Sequence, residues 1–209
     1  TVSNLRIPDL KGLRIRFPSL GEQEKIANTL WTIDEKIELN HQTVQTLESI
    51  AQAIFKEWFV DFNFPGATGE MQESELGEIP KEWRTGTLGD QGEFKNGINY
   101  SREENGNNTY SIINVRDVVE NKFISKSVLD TINVDQRKAT PYLLKADDIV
   151  IVRSASPGET AILLHPEENI IYSGFTIRFR LTNKDYLLYF FLIFQNLKQQ
   201  LRNLSNRRR

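Results

Sequence analysis

From Ile26 onward, apolar residues recur in alternating steps of four and three: Ile26, Leu30, Ile33, Ile37, Asn40, Val44, Leu47, Ala51, Ile54 and Trp58. This 3.5-residue period is that of a heptad seam, and nine of the ten positions are apolar. Ser19-Leu20-Gly21-Glu22 has the spacing of a capping box, so a helix is predicted to begin there. No proline or glycine interrupts residues 22–60, and the helix is expected over 22–62 with a length of about 58 Å. Four heptads exceed what one small neighbouring domain covers, so most of the seam is expected to meet another long helix. Asn40 fits either a buried asparagine that fixes register and partner number or a residue at the edge of the seam. Phe55, Trp58, Phe59, Phe62 and Phe64 crowd the helix end as an aromatic anchor for a globular body or a partner, before Pro65-Gly66 stops the helix.

Residues 63–79 are polar, acidic and punctuated by glycine, and read as a linker. Beyond Pro80 the texture changes to short β-branched and aromatic runs: Tyr110 to Val115, Ile149 to Val152, Ala161 to Leu164 and Phe175 to Leu181. Asn105-Gly106-Asn107-Asn108 and Pro157-Gly158 supply turns between them. A packed helix is expected from about Asp185 to Asn203. The predicted fold is α+β: a long coiled-coil-forming helix joined to a mixed β-rich domain over 80–209.

Apolar residues make up 39% of the chain and charged residues 26%, which fits a folded protein rather than a disordered one. The sequence has no cysteine, which excludes a disulfide framework and thiolate metal sites and fits a reducing cytoplasm. No apolar run is long enough to span a membrane, no signal peptide is expected, and Thr1 reads as a processed or cut end. The net charge of −2 conceals a segregation into +3 over residues 1–21, −9 over 22–90 and +4 over 91–209. Such a division permits a polyanion partner at one part of the molecule only.

A family resemblance rests on several blocks of residues. Ile7-Pro8-Asp9-Leu10, Leu13, Ile15, Pro18, Leu20, Glu22-Gln23, Ile26-Ala27, Leu30, Asp34, Ile37 and Asn40 form the first. Leu47-Glu48, Ile50-Ala51 and Ile54-Phe55-Lys56-Glu57-Trp58-Phe59-Val60-Asp61-Phe62 continue it, followed by Gly77-Glu78-Ile79-Pro80-Lys81-Glu82-Trp83 and Leu88-Gly89-Asp90. Leu144, Asp148-Ile149-Val150, Arg153-Ser154 and Pro157-Gly158 look like a strand and turn within the later domain. Together they resemble the DNA specificity subunits of type I restriction-modification systems, a resemblance that implies a target-recognition domain over 80–209 and a closing, strand-like segment of one over 1–21.

The resemblance implies a recognition subunit without catalytic activity, which holds methylation subunits and, through them, restriction subunits on double-stranded DNA. Each recognition domain reads one half of a split site, and paired helices separate the two. A rod of about 58 Å corresponds to about 17 base pairs. No cofactor is expected on this chain; S-adenosylmethionine belongs on the partner modification subunit. A full-length member carries two helices and two recognition domains, whereas this chain has one of each. It fits either a half-subunit that pairs antiparallel with a second copy or a piece of a longer subunit.

Base readout favours arginine on guanine and asparagine or glutamine on adenine, while phosphates need cations or amides. Turns beside strands offer Lys95, Asn96, Asn99 and Tyr100, then Arg116, then Arg153, Ser154 and Ser156. Lys198 and Arg202 lie four apart on the final helix. Each is equally compatible with a solvated surface role. Asp90, Glu93 and Lys95 superficially match a metal-dependent nuclease, but their spacing is wrong for two strand-borne ligands and Glu93 reads as the start of a loop. There is no glycine-rich strand-to-helix turn for a nucleotide-like cofactor, and His41 and His165 read as surface residues rather than zinc ligands. The alternative to a DNA reader is a coiled-coil scaffold whose β-domain binds protein without sequence-specific DNA binding.

Overall fold

A computed structural model describes residues 5–101, 105–164 and 168–206, and the chain divides into two units, Thr1–Phe64 and Pro65–Arg209. The first holds a short helix, α1 (Ile7–Lys11), and a 40-residue helix, α2 (Leu20–Phe59). The strand-like reading of residues 1–21 is corrected: Pro8 in the first turn and an Arg6–Asp9 ion pair at 3.1 Å suit a helical turn. No strand is present in that segment among the described residues.

The start of α2 follows the sequence. Glu22 accepts from the Ser19 amide at 3.0 Å and from its hydroxyl at 2.7 Å, and these bonds hold the Glu22 carboxyl below its ordinary range. At the other end Asn63 N donates to Glu57 O at 2.8 Å and Phe62 takes a left-handed conformation, φ 61°, so the chain turns sharply out of the helix.

The second unit opens with a hairpin, β1 (Met71–Ser74) paired antiparallel to β2 (Gly77–Pro80). It occupies part of the segment expected to be a plain connector. Its two-residue turn is closed by Ser74 Oγ donating to Gly77 O at 2.6 Å. The order then runs α3 (Leu88–Gln91), β3 (Gly92–Asn96), β4 (Asn108–Ile113), α4 (Val115–Glu120), β5 (Asp130–Val134), α5 (Gln136–Ala139), β6 (Asp148–Val152), β7 (Thr160–Leu163), β8 (Ile170–Tyr172), β9 (Thr176–Leu181) and α6 (Leu187–Asn206).

Four strands form an antiparallel sheet in the order β3-β9-β6-β7. Three more form β5-β4-β8, in which β4 and β8 run parallel. Strand β6 is buried throughout, which explains why Asp148–Val152 reads as an unbroken apolar run after its first residue. Val150 and Val152 on one of its faces join Ile113, Ile170 and Tyr172 from the three-stranded sheet, while Ile149 and Ile151 on the other join α6. Helix α6 buries Leu187, Phe190, Phe191 and Phe194, the one-sided stripe of an amphipathic helix. A third cluster, including Ile98, Tyr110, Ile112, Val134 and Ile171, lies on the far face of the three-stranded sheet.

Candidate nucleic-acid interface

In the antiparallel four-stranded sheet, the ends of β3 and β6 and the start of β9 lie at one edge, with Asn96 opposite Ile177 and Val152 opposite Thr176. The turns leaving these strands are tied to one another by backbone bonds. Gly97 N donates to Thr176 O at 3.1 Å, Arg153 N to Phe175 O at 3.0 Å and Gly174 N to Ile98 O at 2.7 Å. Gly97 is required by this closeness, since a Cβ there would lie 2.1 Å from Ser173 O. Arg153 is exposed, and its Nη1 donates to Asn96 Oδ1 at 3.0 Å. Ser154 and Ser156 are half-buried in the same turn, which Ala155 bends with a φ of 67°. Sequence candidates more than 50 positions apart are therefore brought together.

Asn99 and Tyr100 continue from this edge into a groove of about 830 Å³ bordered by Asn114, Arg116, Asp130 and Phe175. Tyr100 Oη donates to Asn114 Oδ1 at 3.2 Å. Arg116 stands between Asp117 at 3.4 Å and Asp130 at 3.3 Å, and their negative charge, Asp117 first, raises its pKa. Its cation is thus locally balanced, unlike that of Arg153, whose side-chain partner here is an amide. Phe175, which sequence reasoning used only as a strand start, is 61% exposed beside Gly174. An aromatic directly after a Ser-Gly turn was the available signal.

Three candidates lie elsewhere in the unit. Lys95 is half-buried, with its Nζ 5.3 Å from the Tyr142 ring centre. Lys198 and Arg202 both contact Glu159, at 2.5 and 2.9 Å, and Arg202 also donates to Pro157 O at 3.3 Å. They fasten α6 to the turn after β6. Sequence reasoning also missed the inward-facing charges of β9. Arg178 meets Glu93 at 2.9 Å, and Arg180 binds both carboxylate oxygens of Asp148 at 2.7 and 2.6 Å, which raises its own pKa.

The nuclease-like triplet is dispersed by these contacts. Asp90 accepts from the amide and hydroxyl of Thr87 at 3.0 and 2.7 Å, and Glu93 lies within β3 rather than at a loop start. No group of three or more His, Cys, Asp or Glu positioned for a metal occurs among the described residues. His41 is exposed on α2, and His165 lies outside the described residues.

Along α2, Ile26, Leu30, Ile33, Ile37, Val44, Leu47, Ile54 and Trp58 are all exposed, as is Asn40, while Ala51 is half-buried. Of the aromatic anchor, Phe55 is buried, Phe59 and Phe62 are half-buried and Trp58 is exposed. Phe55 and Phe59 pack with ring centres 5.2 Å apart. Trp58 is thus the most exposed aromatic of Phe55, Trp58, Phe59 and Phe62. No helix among the described residues is long and apolar enough to cross a membrane.

The chain is 44% identical over 63 residues to the type I restriction enzyme HindI specificity subunit of Haemophilus influenzae, a match covering 30% of this chain and 14% of that protein. It is 39% identical over 106 residues to the MjaIX specificity subunit of Methanocaldococcus jannaschii, covering 50% and 24%. The crystal structure of the type I restriction-modification S subunit from M. genitalium shares the fold, with a TM-score of 0.58 at 21% identity over 97% of this chain and 49% of that one. The chain thus spans about half the length of that solved structure. A family profile described as the type I restriction modification DNA specificity domain matches residues 1–49 and 80–208, and the chain belongs to that family.

Proposed function

We propose that this chain recognises one half of a split DNA site for a type I restriction-modification complex, contributing recognition rather than chemistry. The observation that carries the reading is the convergence of the turns after β3 and β6 and before β9, with Arg153 exposed and oriented by Asn96. An arginine held through one nitrogen keeps further donors for guanine or phosphate, and no carboxylate at that contact cancels its charge.

Helix α2 serves as spacer and pairing element in this reading. Its exposed apolar seam calls for a second long helix, supplied antiparallel by another copy or by the remainder of a longer subunit. Forty residues make a rod of about 60 Å, the scale of about 17 base pairs of duplex. Trp58 and its half-buried neighbours Phe59 and Phe62 offer a contact for modification subunits, which would carry S-adenosylmethionine and connect the assembly to restriction subunits. A site split between two identical chains would be palindromic.

Footprinting of the chain with its modification partner on a library of duplexes tests the reading. A protected, split motif whose affinity falls steeply with added salt is expected. Binding without any sequence preference would favour the protein-scaffold alternative.

A further inference from the structure

We propose that the groove beside Asn99 reads the edge of an adenine–thymine pair, and that Asn99 is the residue that reads the adenine. This inference rests on the DNA-recognition reading above and adds which base is read, and by which side chain.

The groove is suited to bases rather than phosphates. Ile98, Ile112 and Ile132 supply apolar lining, and its arginine, Arg116, lies 3.3 Å from Asp130, so their charges balance. A phosphate backbone is held by excess positive charge, whereas a base edge needs neutral donors and acceptors beside apolar contact.

Four asparagines line the groove, Asn99, Asn105, Asn114 and Asn133; Asn105 lies in a backbone bridge to Asn133, and the side chains of Asn114 and Asn133 have structural work. Asn114 accepts from Tyr100 Oη at 3.2 Å and caps α4, and Asn133 accepts from Thr109 Oγ1 at 2.9 Å. Asn99 is exposed, and its Oδ1 lies over Gly174, where an added Cβ would come within 2.1 Å of it. The glycine makes room for the carboxamide. The 2.7 Å bond from Gly174 N to Ile98 O fixes the two turns together, so Asn99 and the exposed ring of Phe175 are held beside each other.

A carboxamide offers one acceptor and one donor side by side, the complement of the N6 donor and N7 acceptor that adenine presents in the major groove. Phe175 is placed to cover the methyl group of the paired thymine, the apolar mark that distinguishes this pair from the others.

The test uses the chain with its modification partner on its preferred duplex, with each adenine of the half-site replaced in turn by 7-deazaadenine, which lacks the N7 acceptor. At one adenine the replacement should weaken binding roughly tenfold for the parent chain and no further for Asn99→Ala. Replacing the opposite thymine by uracil should weaken the parent and leave Phe175→Ala unaffected. Gly174→Ala should match Asn99→Ala in its loss of adenine discrimination while binding non-specific duplex as the parent does. A preferred duplex with no adenine sensitive to deaza replacement overturns the assignment, as does a penalty retained in full by Asn99→Ala. A parent complex with no preferred duplex overturns instead the DNA reading beneath it.

Discussion

Arg153 reaches Asn96 across 57 positions of sequence, donating from Nη1 to the carboxamide oxygen at 3.0 Å. The contact joins the end of β6 to the end of β3 and gives an exposed guanidinium a fixed direction. Arg153→Ala should cost about 1–3 kcal/mol in affinity for the preferred duplex while leaving the melting midpoint unchanged. Asn96→Ala should cost less, and the double variant no more than Arg153→Ala alone, because Asn96 acts through Arg153. A gel-shift titration of the three variants measures this, and additive losses would contradict the coupling.

Glu159 holds Lys198 and Arg202 together and with them the last turns of α6. Glu159→Ala strands two partly buried cations and is expected to destabilise the domain by about 1–3 kcal/mol. Thermal denaturation of this variant beside Arg202→Ala checks it. An unchanged midpoint for Glu159→Ala would mean that the cluster adds nothing to the attachment of the helix.

Gly97 faces the backbone of Ser173 and Tyr172, which no side-chain movement can relieve. Gly97→Ala should therefore cost more than about 2 kcal/mol by separating the turn from the start of β9. Urea unfolding at a shared m-value reports the loss.

Tyr172 is fully buried, its hydroxyl has no hydrogen-bond partner among the described residues, and burial pushes its pKa up to about 12. The folded state therefore favours the neutral phenol, so this contribution to stability is present below pH 10, the ordinary value, and is lost as pH rises toward 12. Tyr172→Phe should remove the late step from the ultraviolet phenolate titration and flatten the alkaline loss of stability. At neutral pH it should be neutral or stabilising by up to about 1 kcal/mol. A marked neutral-pH destabilisation would reveal a partner for the hydroxyl.

The exposed seam of α2 should drive self-association of the isolated chain. Ile33→Asp with Ile37→Asp places charges at two successive seam positions and is expected to shift sedimentation from dimer to monomer. A monomeric parent would instead require that the partner helix come from a longer chain.

Much of this architecture was legible because it rests on local periodicity. The heptad positions and the Ser19–Glu22 cap gave α2 to within a turn, and the apolar runs near Ile149, Ala161 and Phe175 became β6, β7 and β9. Strand β8 was missed since three residues buried on both faces show no alternation, and β5 because its polar side chains hide a strand paired only along one edge. The hairpin at Met71–Pro80 lay within glycine and glutamate that read as a connector. At the candidate interface, residue types were readable but their company was not. Arg153, Arg116 and Arg202 look alike in sequence, and only tertiary pairing gives the first an amide, the second two carboxylates and the third a place in an ion cluster.

Asn96, Asn99, Arg153 and Phe175 belong to none of the three apolar clusters, although the adjoining strands β6 and β9 do. Exposed substitutions of this kind generally change stability by less than about 0.5 kcal/mol. The edge can therefore accumulate new side chains while the scaffold beneath keeps its sequence, and a lineage can acquire a different target without passing through an unfolded intermediate. Gly97 is the exception, since a Cβ there would meet the backbone of Ser173 and Tyr172, so diversification is expected to stop at this point, whereas Gly174 is constrained only for as long as Asn99 lies over it.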